Sequence, residues 1–367
     1  MMLFVTSFLG TFLLALVLTP LCRHLARKFQ ILDRPGARKH QAEAMPMLGG
    51  VAIAAAHLIV VIAGFFTLLF AQDFLRYWGV LGPEWSIDLK FSEGDYALPA
   101  MVVGGVIIVL LGLADDRQGL SIKTRVFVES IVAVLVVACG LRLSIPFLPT
   151  PIPEVLTICW IVGLTNSINL IDGLDGLCAG VCTIAALSLG AVLIWGMQPL
   201  VASLLLALAG ATAGFLVFNF PTASLYMGSA GSIFLGYSLA CATALATFTM
   251  NQETIASLAL PVIVFAVPLY DTFSVIVIRL REGVSIGRAD QNHLHHRLLR
   301  LGFSRKQATL FIWLLTFATA LPAMTLVNSG VLDTVIVLFV TLAVVGLIVL
   351  LERVQGHFDT RKPSEGD

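Results

Sequence analysis

Apolar residues along this chain run together in long blocks rather than alternating with the period of a half-buried helix or strand. Val51–Phe70, Leu98–Ala114 and Val331–Leu351 each approach the roughly 20 residues that a helix needs to cross a bilayer core of about 30 Å. Counting such blocks predicts about eleven spans, near 3–22, 48–70, 98–114, 124–141, 154–168, 177–196, 199–218, 230–249, 255–279, 308–327 and 331–351. The adjacent pairs at 177–218 and 308–351 read as hairpins whose division is the least marked, and ten spans is the alternative count. The expected fold is an all-α, polytopic transmembrane helical bundle forming one domain over residues 1–352, with a short tail at 353–367.

Composition agrees with the blocks. The 367 residues are 58% hydrophobic and 12% charged, about half the charge of an ordinary soluble domain. The block Leu3–Leu21 has no positive residue ahead of it and no small-x-small site after it, so it reads as a retained span rather than a cleaved leader. Six cysteines lie within or beside apolar blocks; Cys178 and Cys182 are four apart, but no second pair completes a zinc pattern.

Lys and Arg then orient the blocks. Nineteen of the 22 basic residues fall in one alternating set of loops, at 23–47, 115–125 and 280–307 with Arg279 and the tail, and only Arg76, Lys90 and Arg142 fall in the other. By the positive-inside rule the N-terminus lies outside and the C-terminus in the cytoplasm. The unusual polar stretches, Asp115–Asp116, Asn166–Asp175, Met227–Ser232 and His293–His296, all fall at inner ends of spans. A bundle could gather them at one depth.

Each stretch has a plain reading beside a chemical one. Asp115 and Asp116 are adjacent carboxylates beside low-dielectric surroundings, where they call for a metal, a cation or a proton; two solvated acids at a helix end, with Arg117 as partner, is the plain alternative. Asn166, Asn169, Asp172 and Asp175 recur every three residues, and Gly173 and Gly176 suggest that a helix opens there. Four oxygen-bearing side chains in ten residues are extravagant for a turn and suit a hard cation such as Mg²⁺.

His293, His295 and His296, with Arg288, Arg297 and Arg300, form a plausible diphosphate grip. Zinc is the rival ligand, and an amphipathic segment on anionic lipid is the plain reading. Lys39 and His40 sit in a basic loop that continues into Met45-Pro-Met-Leu-Gly49-Gly50, whose glycines would let one backbone approach another; an ordinary inner loop explains it equally well. Asp271, after Pro268, is an acid inside a span, which costs roughly 3 kcal/mol or more at mid-helix and so suggests function. Glu129 lies four residues after Arg125, where a local ion pair suffices, and is left out of the expected site.

Taken together these motifs resemble the polyprenyl-phosphate N-acetylhexosamine-1-phosphate transferase family. Asp115–Asp116 match its paired acids, Asn166–Leu177 its NxxNxxDGxDGL segment, Leu225–Ser232 the segment written MGDxGS, and Pro268–Asp271 its PLxD. His293-Leu-His295-His296 is closer to the HxHH of the N-acetylglucosamine-1-phosphate branch than to an uninterrupted triple histidine. The resemblance spans nearly the whole chain.

It implies transfer of an N-acetylhexosamine-1-phosphate, most simply GlcNAc-1-phosphate, from a UDP-sugar to undecaprenyl phosphate. The products would be a lipid-diphosphate-sugar and UMP, at the cytoplasmic face of a bacterial inner membrane. It implies Mg²⁺, with Mn²⁺ as a substitute, a lipid bilayer as surroundings, no nucleic acid, and pairing into a homodimer as an allowed state. Carried onto this chain, Asp115 orients or deprotonates the lipid phosphate beside Asp116, with Asp271 as a further catalytic acid. Asn169 holds the metal with Asp172 and Asp175; Asn166, His293, His295, His296 and Arg300 hold the donor, and Lys39 and His40 the acceptor.

One departure stands out. The family's second metal ligand is the acid of MGDxGS, and this chain has Ser229 there. An engineered knockout, favoured by the integrity of the other motifs, competes with a rearranged natural site and an inactive lipid- or nucleotide-binding paralogue. A secondary transporter is the rival of another class. Its sites usually lie near the midplane between repeats, which here only Asp271 suits.

Overall fold

The computed structural model describes residues 2–33, 44–70, 74, 77, 96–143, 145, 148–246, 256–285, 287, 291–328 and 331–359. Lys39, His40, Arg288 and most of the acidic 71–97 segment lie outside the described residues. The fold is helical, as the apolar blocks require. The long helices are α1 (Met2–Lys28), α2 (Gly49–Phe70), α3 (Ala97–Gln118), α4 (Ile122–Ala138), α5 (Ile152–Ile171), α6 (Leu177–Trp195), α7 (Pro199–Asn219) and α8 (Ser229–Leu245). They continue as α9 (Ala256–Val264), α10 (Ala266–Arg281), the short α11 (Leu294–Arg300), α12 (Arg305–Ala323) and α13 (Val331–Asp359). Two two-residue strands, β1 (Leu32–Asp33) and β2 (Met45–Pro46), pair antiparallel beside the C-terminal end of α1.

Eight described helices are long and apolar enough to cross a membrane; α8 is apolar but shorter. The block expected at 255–279 is two helices that meet at Phe265. Pro268 has no N–H for the carbonyl one turn earlier, so a continuous helix would be broken there. The block expected at 124–141 begins as α4 with Lys123, Arg125 and Glu129, so its first half carries charged residues as well as length.

Local signals set the ends that matter. α3 closes on Gly119, left-handed at φ 65°. The Ser121 hydroxyl accepts from the Thr124 amide to start α4, and Ser304 and Gln307 form a reciprocal capping box on α12. Gly176, at φ 72°, turns the chain into α6.

The core lies where α6, α7 and α8 meet, around fully buried Phe215, Phe234 and Tyr237. α1 lies along α7 because Gly210 and Gly214 leave room for the carbonyls of Phe8 and Phe12; an added Cβ would stand 2.1 and 2.6 Å from them. The outward faces of α1, α3 and α13 carry exposed Leu, Val, Ile and Phe, as a lipid-facing surface does.

Candidate active site

The C-terminal ends of α3, α5 and α7, the starts of α8 and α12, the segments that precede α2 and α6, and the short α11 come together around one cavity of about 780 Å³. Next to its lining at Met47 and Tyr226–Gly228 lies a floor of backbone packed on backbone. Gly49 and Gly50 donate to the carbonyls of Tyr226 and Met227 at 2.9 and 2.8 Å, and Tyr226 donates back to Pro46 at 2.9 Å. A Cβ on Gly50 would meet Gly231 N at 2.0 Å, and one on Gly112 would meet Ala230 Cα at 2.3 Å. The expected close approach at Gly49–Gly50 is therefore real. It brings α2, α3 and α8 into backbone contact.

On that floor sits the acid pair. Asp115 is buried, accepts from Arg125 Nη1 at 2.8 Å and takes the Leu120 amide at 2.9 Å. Its cationic partner is thus Arg125, one helix on, and not Arg117. Asp116 turns the other way: its Oδ1 accepts the Ser229 amide at 2.7 Å and its Oδ2 the Ala230 amide at 3.2 Å. These are orphan donors of the first turn of α8, so the carboxylate lies on the positive end of that helix.

α5 ends at Ile171, so Asp172 and Asp175 belong to the loop that the two glycines open. Gly173 is required by contact: a Cβ there would fall 2.1 Å from His295 Nε2. Asp175 Oδ2 accepts the Ala223 amide at 3.0 Å. Asn219 bridges the same two loops, accepting from the Gly176 amide and donating to the Leu225 carbonyl, each at 2.9 Å. Burial, with Asp116 and Asp175 nearby, pushes the Asp172 carboxyl up to about 7. Asn169 donates to Ser232 at 2.8 Å and receives Arg125 at 3.4 Å, which turns its carbonyl oxygen toward the guanidinium.

The far wall comes from α11 and α12. His296, Arg300 and Arg305 line the cavity, with Asp33 and Tyr226 at its edge. Arg300 is steadied by the Gln291 carbonyl at 2.8 Å. The Tyr226 hydroxyl is pushed up to about 12 by burial, with Asp175 and Asp33 adding to the effect.

The expected residues divide accordingly. Asp115, Asp116, Asn169, Asp172, Asp175, Ser229, His296 and Arg300 share the cavity. Four others stand behind its wall. Asp271, 1% exposed, accepts from the Leu294 amide at 2.5 Å and Arg297 at 3.4 Å, and pairs with His293 Nδ1 at 2.8 Å. It anchors the N-terminus of α11, where a lone intramembrane acid had been expected, and its cost is met by these partners. His293 is taken up by that bond. His295 is buried between His296 and Gly173, and burial pushes its imidazole down to about 3. Asn166 points to Glu129 at 2.5 Å. The local Arg125–Glu129 ion pair expected from their spacing is replaced by Arg125–Asp115 and Glu129–Asn166.

Several cavity residues were not singled out in the sequence: Asn219, Tyr226, Asp33, Gln291 and Arg305. Nor was Arg125 as the partner of Asp115. Arg125 reads as one more inner-loop cation. Asn219, a lone amide at the inner end of an apolar block, was the one with a usable signal.

The residue types suit a hard divalent ion: Asp115, Asp116, Asp172 and Asp175 line one cavity with the Asn169 amide and the Ser229 hydroxyl, and burial, with acidic neighbours, leaves Asp172 near neutrality. Among the described residues no three of these acids are grouped closely enough to hold the ion as they stand.

Known proteins place the chain. Residues 98–247 match the family model described as Glycosyl transferase family 4. A probable undecaprenyl-phosphate N-acetylglucosaminyl 1-phosphate transferase of Bacillus subtilis is 32% identical over 355 residues, covering 94% of this chain and 90% of that protein. The chain belongs to this family. An undecaprenyl-phosphate alpha-N-acetylglucosaminyl 1-phosphate transferase of Escherichia coli is 26% identical over 335 residues, 87% of this chain and 82% of that one. A decaprenyl-phosphate N-acetylglucosaminephosphotransferase of Mycobacterium tuberculosis is 33% identical over 296 residues, 71% and 72% of the two chains. The glycosyl transferase family 4 match covers the helices that carry Asp115, Asn169 and Ser229 and ends before the histidine segment.

Proposed function

We propose that this chain transfers GlcNAc-1-phosphate from UDP-GlcNAc to undecaprenyl phosphate, at the cytoplasmic face of the membrane. One observation carries the reading: motifs more than a hundred residues apart converge on a single polar cavity at one end of an apolar bundle. A lipid phosphate held in the bilayer and a water-soluble nucleotide sugar can meet only at such a boundary. The basic loops at that end support its cytoplasmic orientation.

In the reaction an oxygen of the lipid phosphate bonds to the sugar-bearing phosphorus of the donor, and the bridging bond to UMP breaks. Asp115, set by Arg125 and the Leu120 amide, orients the attacking phosphate and takes its proton. Arg300 and Arg305, with His296, meet the donor's diphosphate from the opposite wall. Asn169, Asp172 and Asp175 would hold Mg²⁺, which when bound neutralises charge on the diphosphate oxygens. Asp116 stays on the α8 amides and fixes the loop that carries Ser229.

UMP release from UDP-GlcNAc in detergent, dependent on added polyprenyl phosphate and Mg²⁺, tests the reading. Solute uptake by vesicles without UMP release would replace it with transport. Ser229 favours one alternative, a binding protein that has lost turnover; UDP-GlcNAc binding with no UMP release, in a protein that Ser229→Asp does not revive, is its signature.

A further inference from the structure

Glu129 is a carboxylate that the proposed reaction does not use. It is 2% exposed, on the inner half of α4, and accepts from Asn166 Nδ2 on α5 at 2.5 Å. Its other oxygen, Oε1, is buried with no hydrogen-bond partner among the described residues. Burying an acid for one bond is expensive unless the bond secures something else.

The neighbours show what that is. Arg125 and Glu129 are one turn apart on α4, and Asn166 and Asn169 are nearly one turn apart on α5, so the two helices face each other through two rungs. The deep rung is Glu129 with Asn166. The shallow rung is Arg125 with Asn169 at 3.4 Å, and it alone borders the cavity, where the same guanidinium holds Asp115. Asn166 spends its amide hydrogens on Glu129 and on the Val162 carbonyl at 2.9 Å, so nothing but Glu129 ties it to α4.

We propose that Glu129 is a positioning residue: by gripping Asn166 it sets the spacing of α4 and α5 at which Arg125 meets both Asp115 and Asn169. The inference rests on the transferase reading, since it concerns that site. What Glu129 supplies is an acceptor oxygen, so a glutamine at the same place serves equally.

The test uses the full chain in detergent, comparing Glu129→Leu and Glu129→Gln with the parent, and reads UDP-GlcNAc binding across a Mg²⁺ titration together with UMP release. In Glu129→Leu the Mg²⁺ concentration for half-maximal binding rises about tenfold and UMP release falls by a similar factor, the loss expected for a displaced ligand, while KM for UDP-GlcNAc at saturating Mg²⁺ stays within about threefold. Glu129→Gln stays within about threefold of the parent throughout. Parent-like behaviour of Glu129→Leu overturns the proposal, as does a Glu129→Gln form as damaged as Glu129→Leu. If Glu129→Leu does not fold, Asn166→Ala removes the same bond from the other helix, and an unchanged Mg²⁺ titration there overturns it. A parent that binds no UDP-GlcNAc in Mg²⁺ sinks the transferase reading itself; a parent that binds, with variants that do not differ, sinks only the role of Glu129.

Discussion

Asp116 and Ser229, 113 residues apart, are locked together by the carboxylate of one and the backbone amide of the other at 2.7 Å. The side chain that the resemblance implies should be acidic therefore begins beside a carboxylate already settled on a helix end. Ser229→Asp adds a second acid at that spot, and like charges so close tolerate each other only with a cation between them. UMP release should rise at least about tenfold and its Mg²⁺ requirement should sharpen. A titration of rate against Mg²⁺ for both forms checks this; equal curves would show that position 229 is no ligand.

If Asp172 is a metal ligand, as proposed, metal binding should depend on pH. Its carboxyl is raised from 3.8 to about 7, chiefly by burial and then by Asp116 and Asp175, so in the metal-free fold it holds a proton into the neutral range. A divalent ion needs the ionised form, so affinity should climb as pH rises through about 7, with release of a proton. The sign for stability is opposite. Between the unfolded value and about 7 the native state binds more protons than the unfolded one, so the metal-free protein should lose stability as pH rises through that window. Calorimetric Mg²⁺ titration in buffers of different ionisation enthalpy reads the proton, and Asp172→Asn should abolish it.

Gly173 and His295 share one volume. A Cβ at 173 would lie 2.1 Å from His295 Nε2, so Gly173→Ala must push the ring or the loop aside. Overpacking of this kind costs about 1–3 kcal/mol. Melting temperature should fall and UDP-GlcNAc binding weaken, and Gly173→Ala with His295→Ala should recover part of the stability. His295 itself stays neutral across the working range because burial holds it down to about 3, so an NMR titration should show no protonation of it above pH 5.

Asp271 holds α11 rather than substrate. Asp271→Ala strips the acceptor from the Leu294 amide and leaves Arg297 and His293 without their buried counter-charge, at a cost of about 3–5 kcal/mol. Hydrogen exchange should quicken across residues 291–300 before any global unfolding. KM for UDP-GlcNAc should rise through His296 and Arg300. Unchanged exchange in that segment would contradict the anchoring role.

Apolar length made the helices legible, and the spacing of Asn, Asp and Gly over 166–176 announced both a site and the break in its helix. Gly49–Gly50 were legible as a close approach, though not the partner they approach. What the sequence hid was direction. Three histidines within four residues look equivalent on paper, but the short helix that starts at Leu294 sends His296 to the cavity and turns His293 and His295 inward. The Arg125–Glu129 spacing was right for a helical pair, and each residue found a better partner across a helix interface, which no local rule can see. Proline at 268 carried the signal for the divided block at 255–279, and the apolar run around it masked that signal.

Next to the cavity, Gly50, Gly112 and Gly231 bring three helices into backbone contact, and this limits how the site can change. Main-chain atoms cannot be exchanged one at a time, and even a methyl group would wedge the helices apart. That side of the chamber is a fixed gauge for whatever rests on it. Single substitutions have freer play on the walls built from side chains, where His296 and Arg300 of α11 line the cavity.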